Sequence, residues 1–306
     1  MASRPPILIA GCGAMACLFG GRLAEQAEVT MLGTWPEGIA ALQRDGVRLE
    51  AGGLETRHRV RVTHDPGDLR SAPFALVLVK SWQTARTAAM LAKGLAPDGV
   101  ALTLQNGLGN LEILRGVLGA ERAALGVTTM GATLVGPGHV RLGGTGPTYL
   151  AHHPRLEPYL DLLRQAGFDS EVEEDLASLQ WGKLAVSAGI NPLTALLRVP
   201  NGALVEDEQA RLVLGEAARE GEAVARALGL RLPYRDAAAQ AEEVARRTSA
   251  NLSSMLQDIL RGAPTEIDAI NGAVAEAGER LRVPVAVNRT LWRLVRAAAA
   301  GAGLPG

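Results

Sequence analysis

The sequence predicts an α/β fold in its first half, a doubly wound and largely parallel sheet, followed by an all-α domain. Three observations predict it. Pro6 to Ala10 is a short apolar run ending at Gly11-Cys12-Gly13-Ala14-Met15-Ala16. Helix-spaced residues from Leu18 to Gln26 then lead to a second apolar run, Val29 to Leu32, so about thirty residues make one strand, turn, helix, strand unit. Phe74 to Val79 is nearly uninterrupted apolar sequence, as a parallel strand covered on both faces requires. After Asp175 the texture changes, and alanine, leucine and arginine recur at helical spacing over Ala210 to Leu228, Ala237 to Arg247 and Ile267 to Leu281. No Ser/Gly/Pro linker or internal repeat separates the halves, so the boundary is expected near Glu173 to Leu176, giving domains 1–174 and 175–306.

Within the first half, Val47 to Glu50 and Arg57 to Val62 alternate polar and apolar residues around Gly52-Gly53 and read as a peripheral hairpin. Thr84 to Leu95 is a helix. Val100 to Leu104 is a strand that ends at Gln105-Asn106-Gly107-Leu108-Gly109, as the Phe74 to Val79 strand ends at Lys80. Ligands of such sheets bind beyond the carboxyl ends of the strands, so Lys80 and Asn106 both fall on that edge. Leu125 to Leu134, Gly138 to Leu142 and Pro147 to Leu150 read as further strands joined by glycine-rich turns; Leu156 to Gln165 is a helix and Ser170 to Val172 a last strand.

At 306 residues, with 47% hydrophobic and 21% charged residues, the chain holds enough apolar material for two cores. A net charge of −1 with no basic face removes the motive for nucleic-acid or anionic-membrane binding. No apolar run approaches the roughly 20 residues of a membrane helix, and the run before Cys12 is too short for a secretory signal core. Cys12 and Cys17 suit buried packing positions better than a disulfide, and without histidine neighbours they make no zinc site, so no metal is expected and a reducing cytoplasm is the economical location.

The glycine-rich turn offers backbone N–H groups and a helix N-terminus to a pyrophosphate. In its strand and helix context it marks a Rossmann-type dinucleotide-binding domain, with Ala16 a permitted variant at the final position. Charge does not choose the cofactor. Where an acidic residue would take the ribose hydroxyls of NAD, or an arginine the 2′-phosphate of NADP, this chain has Gly33-Thr34-Trp35, with Trp35 placed to cover an adenine. Lys80 is open between a cofactor phosphate or sugar and plain solvation, and Asn106-Gly107 is also a common turn pair.

In the helical half the informative residue is Lys183. Only three of the 31 Lys+Arg residues are lysines, Lys80, Lys93 and Lys183. Unlike arginine, a partly buried lysine can be tuned to give up a proton. No histidine follows His153, so acid–base chemistry from this half falls to lysine, carboxylate or tyrosine. Lys183, Ser187 and Asn191 share one face of a continuing helix, although Asn191 before Pro192 also reads as a cap of a following helix. Asn251, Ser253 and Ser254 precede a helical run and are open between capping and holding a substrate carboxylate. Thr265-Glu266-Ile267-Asp268 has the look of a capping box, so Glu266 is open between helix-dipole placement and a site carboxylate.

The residues as a set resemble the ketopantoate reductase (2-dehydropantoate 2-reductase) family. The resemblance spans nearly the whole chain: the Gly-Cys-Gly-Ala turn, Leu104-Gln105-Asn106-Gly107-Leu108-Gly109, Lys183-Leu184-Ala185-Val186, Ile190-Asn191-Pro192-Leu193-Thr194-Ala195, Pro200-Asn201-Gly202, Asn251-Leu252-Ser253-Ser254-Met255-Leu256-Gln257-Asp258 and Thr265-Glu266-Ile267-Asp268-Ala269-Ile270-Asn271-Gly272. It implies a Rossmann-type domain followed by a helical domain like the C-terminal part of 6-phosphogluconate dehydrogenase. It also implies NADPH-dependent reduction of a small 2-oxoacid, ketopantoate, to D-pantoate on the route to pantothenate and coenzyme A. By position, Lys183 corresponds to the family's catalytic lysine and Glu266 to its second functional residue, near substrate and cofactor. Gly11 to Ala16, Lys80, Asn106 and Ala132 fall where the family touches the cofactor; Lys183, Ser187, Asn191, Asn201, Asn251 and Ser254 fall where it touches the substrate. The implied chemistry is hydride from the nicotinamide and a proton from Lys183. Two positions depart from the pattern. Ser187 stands where the family usually has asparagine, which leaves room for another branched 2-oxoacid, and Thr34 lies near a usual arginine for the 2′-phosphate, which leaves room for NADH. A non-catalytic NAD(P)-sensing protein is the alternative from another class, and a homodimer is compatible with the chain.

Overall fold

The computed structural model describes residues 4–69 and 71–301. In chain order the first half contains β1 (Pro6–Ala10), α1 (Ala14–Leu23), β2 (Glu28–Leu32), α2 (Pro36–Asp45), β3 (Val47–Ala51), β4 (Leu54–His58), β5 (Arg61–Thr63), β6 (Ala72–Val77), α3 (Thr84–Gly94), β7 (Leu95–Thr103), α4 (Asn110–Leu118), β8 (Ala123–Thr128), β9 (Gly131–Gly136), β10 (His139–Gly144), β11 (Thr148–Ala151), α5 (Glu157–Gln165) and β12 (Ser170–Glu173). The second half contains α6 (Leu176–Leu197), α7 (Ala203–Glu206), α8 (Glu208–Ala227), α9 (Ala237–Arg247), α10 (Ser254–Leu260), a π-helical turn at Asp268–Gly272, α11 (Ala273–Leu281) and α12 (Ala286–Gly301). The chain divides into two compact units. One comprises the described residues up to Gln105 with Asn110–Leu176, the other Asn106–Gly109 with the described residues from Ala177 onward.

The first unit is built on an eight-stranded sheet in the order β12-β11-β8-β7-β6-β1-β2-β5. The pairs from β5 through β8 are parallel, and only β11 against β8 is antiparallel. The winding order reverses between β1 and β6, the position at which open α/β sheets bind ligands. One face buries Phe19, Leu18 and Met31 with Phe168 and Leu163; the other buries Ala75 and Val77 beneath Ala88 and Leu91 of α3 and Leu114 of α4. Phe19 stacks on Phe168 at 4.1 Å and Phe74 on Tyr159 at 4.2 Å. A second sheet, β4-β3-β10-β9, packs on α1.

Three local expectations are corrected. The 125–134 run is two strands, because the chain leaves the large sheet after β8, turns at Thr129-Met130 and begins the small sheet at β9. The 57–62 arm is also divided: β4 completes the hairpin with β3, and β5 crosses to pair with β2 at the edge of the large sheet. Between β2 and β3, α2 forms where no helix is predicted. It opens on Pro36, which is favourable at a first turn, and buries only Ile39, Ala41 and Leu42 with Gly38 between its polar residues, too short a stripe for a clear periodic signal.

In the second unit α6 is the long central element, and it runs unbroken through Pro192. Asn191 therefore lies inside a helix and caps no following one. Close approach of α6 and α8 depends on glycine: a Cβ on Gly189 would lie 2.8 Å from the Leu214 carbonyl oxygen, and one on Gly221 2.9 Å from the Ala185 Cβ. Thr265-Glu266-Ile267-Asp268 forms no capping box. Thr265 Oγ1 accepts from the Ile267 N–H at 3.4 Å, but Asp268 turns away to accept from Trp292 Nε1 at 2.6 Å, and the segment leads into the π-helical turn.

Gly221→Val should force α6 and α8 apart and lower stability by about 1–3 kcal/mol, the usual cost of overpacking, read as a lower denaturation midpoint.

Candidate active site

In the first unit, β1 passes into the glycine-rich turn. Gly11 adopts φ 128°, and a Cβ there would lie 3.2 Å from both the Leu78 oxygen and the Ala16 Cβ, so glycine is required on both counts. Gly13 is exposed, and a Cβ there would meet nothing within 4 Å. It also precedes α1, whose N-terminus has no side-chain cap and no acidic residue in its first turn. Open space above uncapped N–H groups at a sheet's switch point fits a pyrophosphate. Cys12 and Cys17 are buried thiols; burial pushes Cys12 up to about 12 and Cys17 further, so neither is a nucleophile at neutral pH.

Beyond β2, Thr34 is exposed and the Trp35 ring folds onto the first turn of α2, where a Cβ on Gly38 would lie 2.3 Å from it. Lys80 follows β6 and is half-buried; Ala132 lies on β9, which packs against α1. The loops after β6 and β7 are tied together by Gln105, whose Nε2 donates to the Val79 carbonyl at 2.9 Å and to Thr84 Oγ1 at 2.8 Å, and by Thr84 Oγ1 donating to Asn110 Oδ1 at 2.8 Å. Glu50, Glu55 and His139 are close enough to share an ion. Their carboxylates already hold guanidinium groups, Arg141 Nε at 2.6 Å from Glu50 and Arg48 bidentate on Glu55, and these partners hold both carboxyls below the usual carboxylate range. That cluster is an ion-pair network on the small sheet.

The chemically distinctive geometry lies in the second unit. Lys183 Nζ donates to Asn106 Oδ1 at 2.7 Å, and Asn106 Nδ2 donates to Glu266 Oε2 at 3.5 Å. Asn106 thus stands with the helical unit, although its sequence position suggests only a strand end. Its loop is docked by three contacts. Gln180 Nε2 donates to the Gly107 carbonyl at 3.1 Å, the Leu108 N–H donates to the Ala269 carbonyl at 2.9 Å, and Gly107, at φ 82°, lies so close to Ala269 that a Cβ would sit 2.5 Å from that carbonyl oxygen. Glu266 is 4% exposed and Lys183 partly so. Burial pulls the Lys183 ammonium from its ordinary 10.5 down to about 8, while the Glu266 carboxylate pulls it upward. A lysine in that range both binds a carbonyl oxygen and releases a proton to it near neutral pH.

Ser187 and Asn191, both half-buried, follow Lys183 at one and two turns of α6, so the three share a face. The Asn201 N–H donates to the Asn251 carbonyl at 3.0 Å, which brings those two residues together; Asn201 Nδ2 donates to Thr248 Oγ1 at 2.8 Å, while its buried Oδ1 has no hydrogen-bond partner among the described residues. The cap of α10 is Ser253, which accepts from the Leu256 N–H at 3.0 Å and from Thr194 Oγ1 at 2.7 Å; Ser254 is the first helical residue. Sequence reasoning assigned no role to Thr194 or Asn271. The signal for Asn271 is Pro192, since a proline inside a helix leaves a carbonyl that needs a donor from elsewhere.

A doubly wound sheet reversing at a glycine-rich turn, in one chain with a helical unit that buries a tuned lysine, defines an oxidoreductase of the two-unit dehydrogenase class. Family models described as "Ketopantoate reductase PanE/ApbA" and "Ketopantoate reductase PanE/ApbA C terminal" match residues 7–155 and 175–299. The chain belongs to the ketopantoate reductase family. Curated relatives named 2-dehydropantoate 2-reductase from Halobacterium salinarum and Archaeoglobus fulgidus are each 37% identical to it, over 95% and 96% of this chain and 98% of theirs. A crystal structure of a PanE/ApbA family ketopantoate reductase from Ralstonia eutropha JMP134 superposes with a TM-score of 0.90 at 32% identity, covering 98% of this chain and all of that one. A D-mandelate dehydrogenase solved with NADH and anilino(oxo)acetate shares the fold, with a TM-score of 0.90 at 23% identity over 98% of this chain and all of that one.

Because the folded-state pKa of Lys183 lies below its unfolded value, the unfolded chain binds the extra proton, and the resulting penalty is fully present below about pH 8 and relieved between about 8 and 10.5. The stability difference between Lys183→Met and wild type should therefore be greatest, in favour of methionine, below pH 8 and shrink toward pH 10.5. A denaturation series across that range measures it.

Proposed function

We propose that this chain reduces ketopantoate to D-pantoate with NADPH, as a cytoplasmic step toward pantothenate and coenzyme A. In this reading residues 1–174 hold the dinucleotide and residues 175–306 the oxoacid. The observation that carries the proposal is the Lys183 ammonium, held by Asn106 at 2.7 Å and brought down to about 8 by burial against the upward pull of Glu266. Among the described residues no helix is long and apolar enough to cross a membrane.

The uncapped start of α1 and the open space over Gly13 receive the pyrophosphate. The nicotinamide, when bound, supplies a hydride to the carbonyl carbon of the substrate. As negative charge grows on the carbonyl oxygen, Lys183 Nζ hydrogen-bonds it and then gives up its proton, so a positioned cation acts where the transition state needs it most. Asn106 accepts one Nζ–H and keeps the ammonium in place for the others. Glu266 raises the proton affinity of Lys183, keeping it charged at neutral pH against the pull of burial. Ser187, Asn191, Asn201, Asn251 and Ser254 hold the polar groups of the oxoacid. Ser187 has a shorter reach than the family's usual asparagine, so other branched 2-oxoacids belong in the same assay.

Lys183→Ala should fold and lose about 100- to 10,000-fold in kcat, the range ascribed to a positioned general acid. Wild-type kcat/KM should fall as pH rises through about 8, and Glu266→Gln should move that decline to lower pH by removing the upward pull on Lys183. Near-normal turnover by Lys183→Ala would end the assignment. For the cofactor, the residues that follow β2, Gly33, Thr34 and Trp35, include no arginine for a 2′-phosphate. NADH should therefore support turnover within about tenfold of NADPH, a difference of about 1.4 kcal/mol. Side-by-side kcat/KM values decide it, and a far larger preference for NADPH would show that another cation takes the phosphate.

A further inference from the structure

Pro192 has no N–H, so the carbonyl of Ala188, four residues earlier in α6, receives nothing from the helix ladder. Asn271, fully buried, supplies the missing donor: its Nδ2 reaches the Ala188 oxygen at 2.9 Å and Asn288 Oδ1 at 2.9 Å. Asn288 Nδ2 in turn donates to the Ala217 carbonyl on α8 at 2.9 Å and to Glu220 Oε2 at 2.8 Å, and the Glu220 carboxylate accepts the N–H groups of Val287 and Asn288 at the start of α12. Asn271 is also part of the π-helical turn. That turn begins two residues after Glu266, and its Ala269 carbonyl holds the loop carrying Asn106. Ala188 lies on α6 between Ser187 and Asn191. One amide therefore joins the segment that places Asn106 and Glu266 to the helix that presents Lys183.

We propose that Asn271 is a positioning residue for the reduction, holding the π-helical turn against the Pro192 defect of α6 so that Asn106 and Glu266 stay in register with Lys183. The reading rests on the function proposed above. A purely structural asparagine would serve stability alone. Here the hydrogen bond falls on the one α6 carbonyl that Pro192 deprives of a helical partner, within a turn of the residues it would align, and the Asn271 Oδ1 is left without a hydrogen-bond partner among the described residues.

The test compares wild type, Asn271→Ala, the isosteric Asn271→Asp and the double variant Asn271→Ala/Pro192→Ala. Steady-state kcat and KM for ketopantoate are measured with the pH profile and the thermal midpoint. Asn271→Ala and Asn271→Asp should lower kcat at least about tenfold and displace the alkaline decline of kcat/KM. The double variant, in which residue 192 again offers an N–H to Ala188 but no side chain ties the turn to α6, should recover the thermal midpoint while kcat stays low; full recovery of kcat would overturn the proposal. Wild-type kcat, KM and pH profile in both single variants, with only the thermal midpoint lowered, would overturn the proposal. A wild type with no ketopantoate turnover would instead overturn the reductase reading. In that event the NMR titration of ¹³Cε-labelled lysine still decides, because the chain has only three lysines. Asn271→Ala, which adds no charge, should shift the Lys183 midpoint by about half a pH unit or more, and an unmoved midpoint overturns the inference. If neither single variant folds, failure of Pro192→Ala to restore folding to Asn271→Ala also overturns it, since the two defects then are not the same one.

Discussion

An ammonium group withdrawn from water has to be solvated by protein atoms, and in this chain that requirement organises the helical unit. Lys183 exchanges much of its hydration for the Asn106 side-chain oxygen Oδ1 and the field of Glu266. Neither partner is on α6. Both are delivered by the stretch around the π-helical turn, Glu266 as the residues leading into it and Asn106 through a loop held by the Ala269 carbonyl. The wider loops of a π-helical turn are common where a backbone must present groups to a site. Here the turn serves both sides of the lysine's environment. A charge that would be costly in isolation becomes tolerable and remains able to release its proton.

The same helix carries a second exception to regular structure. Pro192 takes a hydrogen bond out of the ladder inside the unit, and a buried unmatched carbonyl would be expensive. Asn271, Asn288 and Glu220 absorb that cost and, in doing so, connect α6, α8, α12 and the π-helical turn through side chains. The packing around this network uses small residues. Gly189 and Gly221 let α6 and α8 approach until backbone and Cβ atoms touch, and aromatic side chains contribute little, at 3% of the sequence. A core of this kind draws its order from close backbone contact and satisfied polar groups.

Local chemistry was legible and long-range pairing was not. The turn from Gly11 to Ala16 could be read because strand, glycine and helix lie within one stretch of chain, and Lys183 stood out against an arginine-rich background. The change from sheet to helices after Asp175 was visible as a change of period. What escaped required knowledge of distant partners. The 125–134 run looks like one strand because leaving one sheet for another does not interrupt an apolar pattern. α2 hides because its buried stripe is only three residues wide. Asp268 reads as half of a capping box until Trp292, 24 residues on, is seen to take its carboxylate. Asn106 looked like a strand-end residue because the atoms that hold it, on Lys183 and near Ala269, lie more than seventy positions away.

That four-residue loop also bears on how such a chain can be inherited or recombined. Asn106–Gly109 is encoded amid the sheet but clusters with the helices. A crossover placed at the change of texture near residue 175 would give the helical half Lys183 and Glu266 while drawing the lysine's acceptor from the other parent. A chimera of that design inherits Lys183 and the amide that accepts its hydrogen bond from different ancestors. The exchangeable module is therefore discontinuous in the gene, and grafting helices alone transfers the lysine without its acceptor.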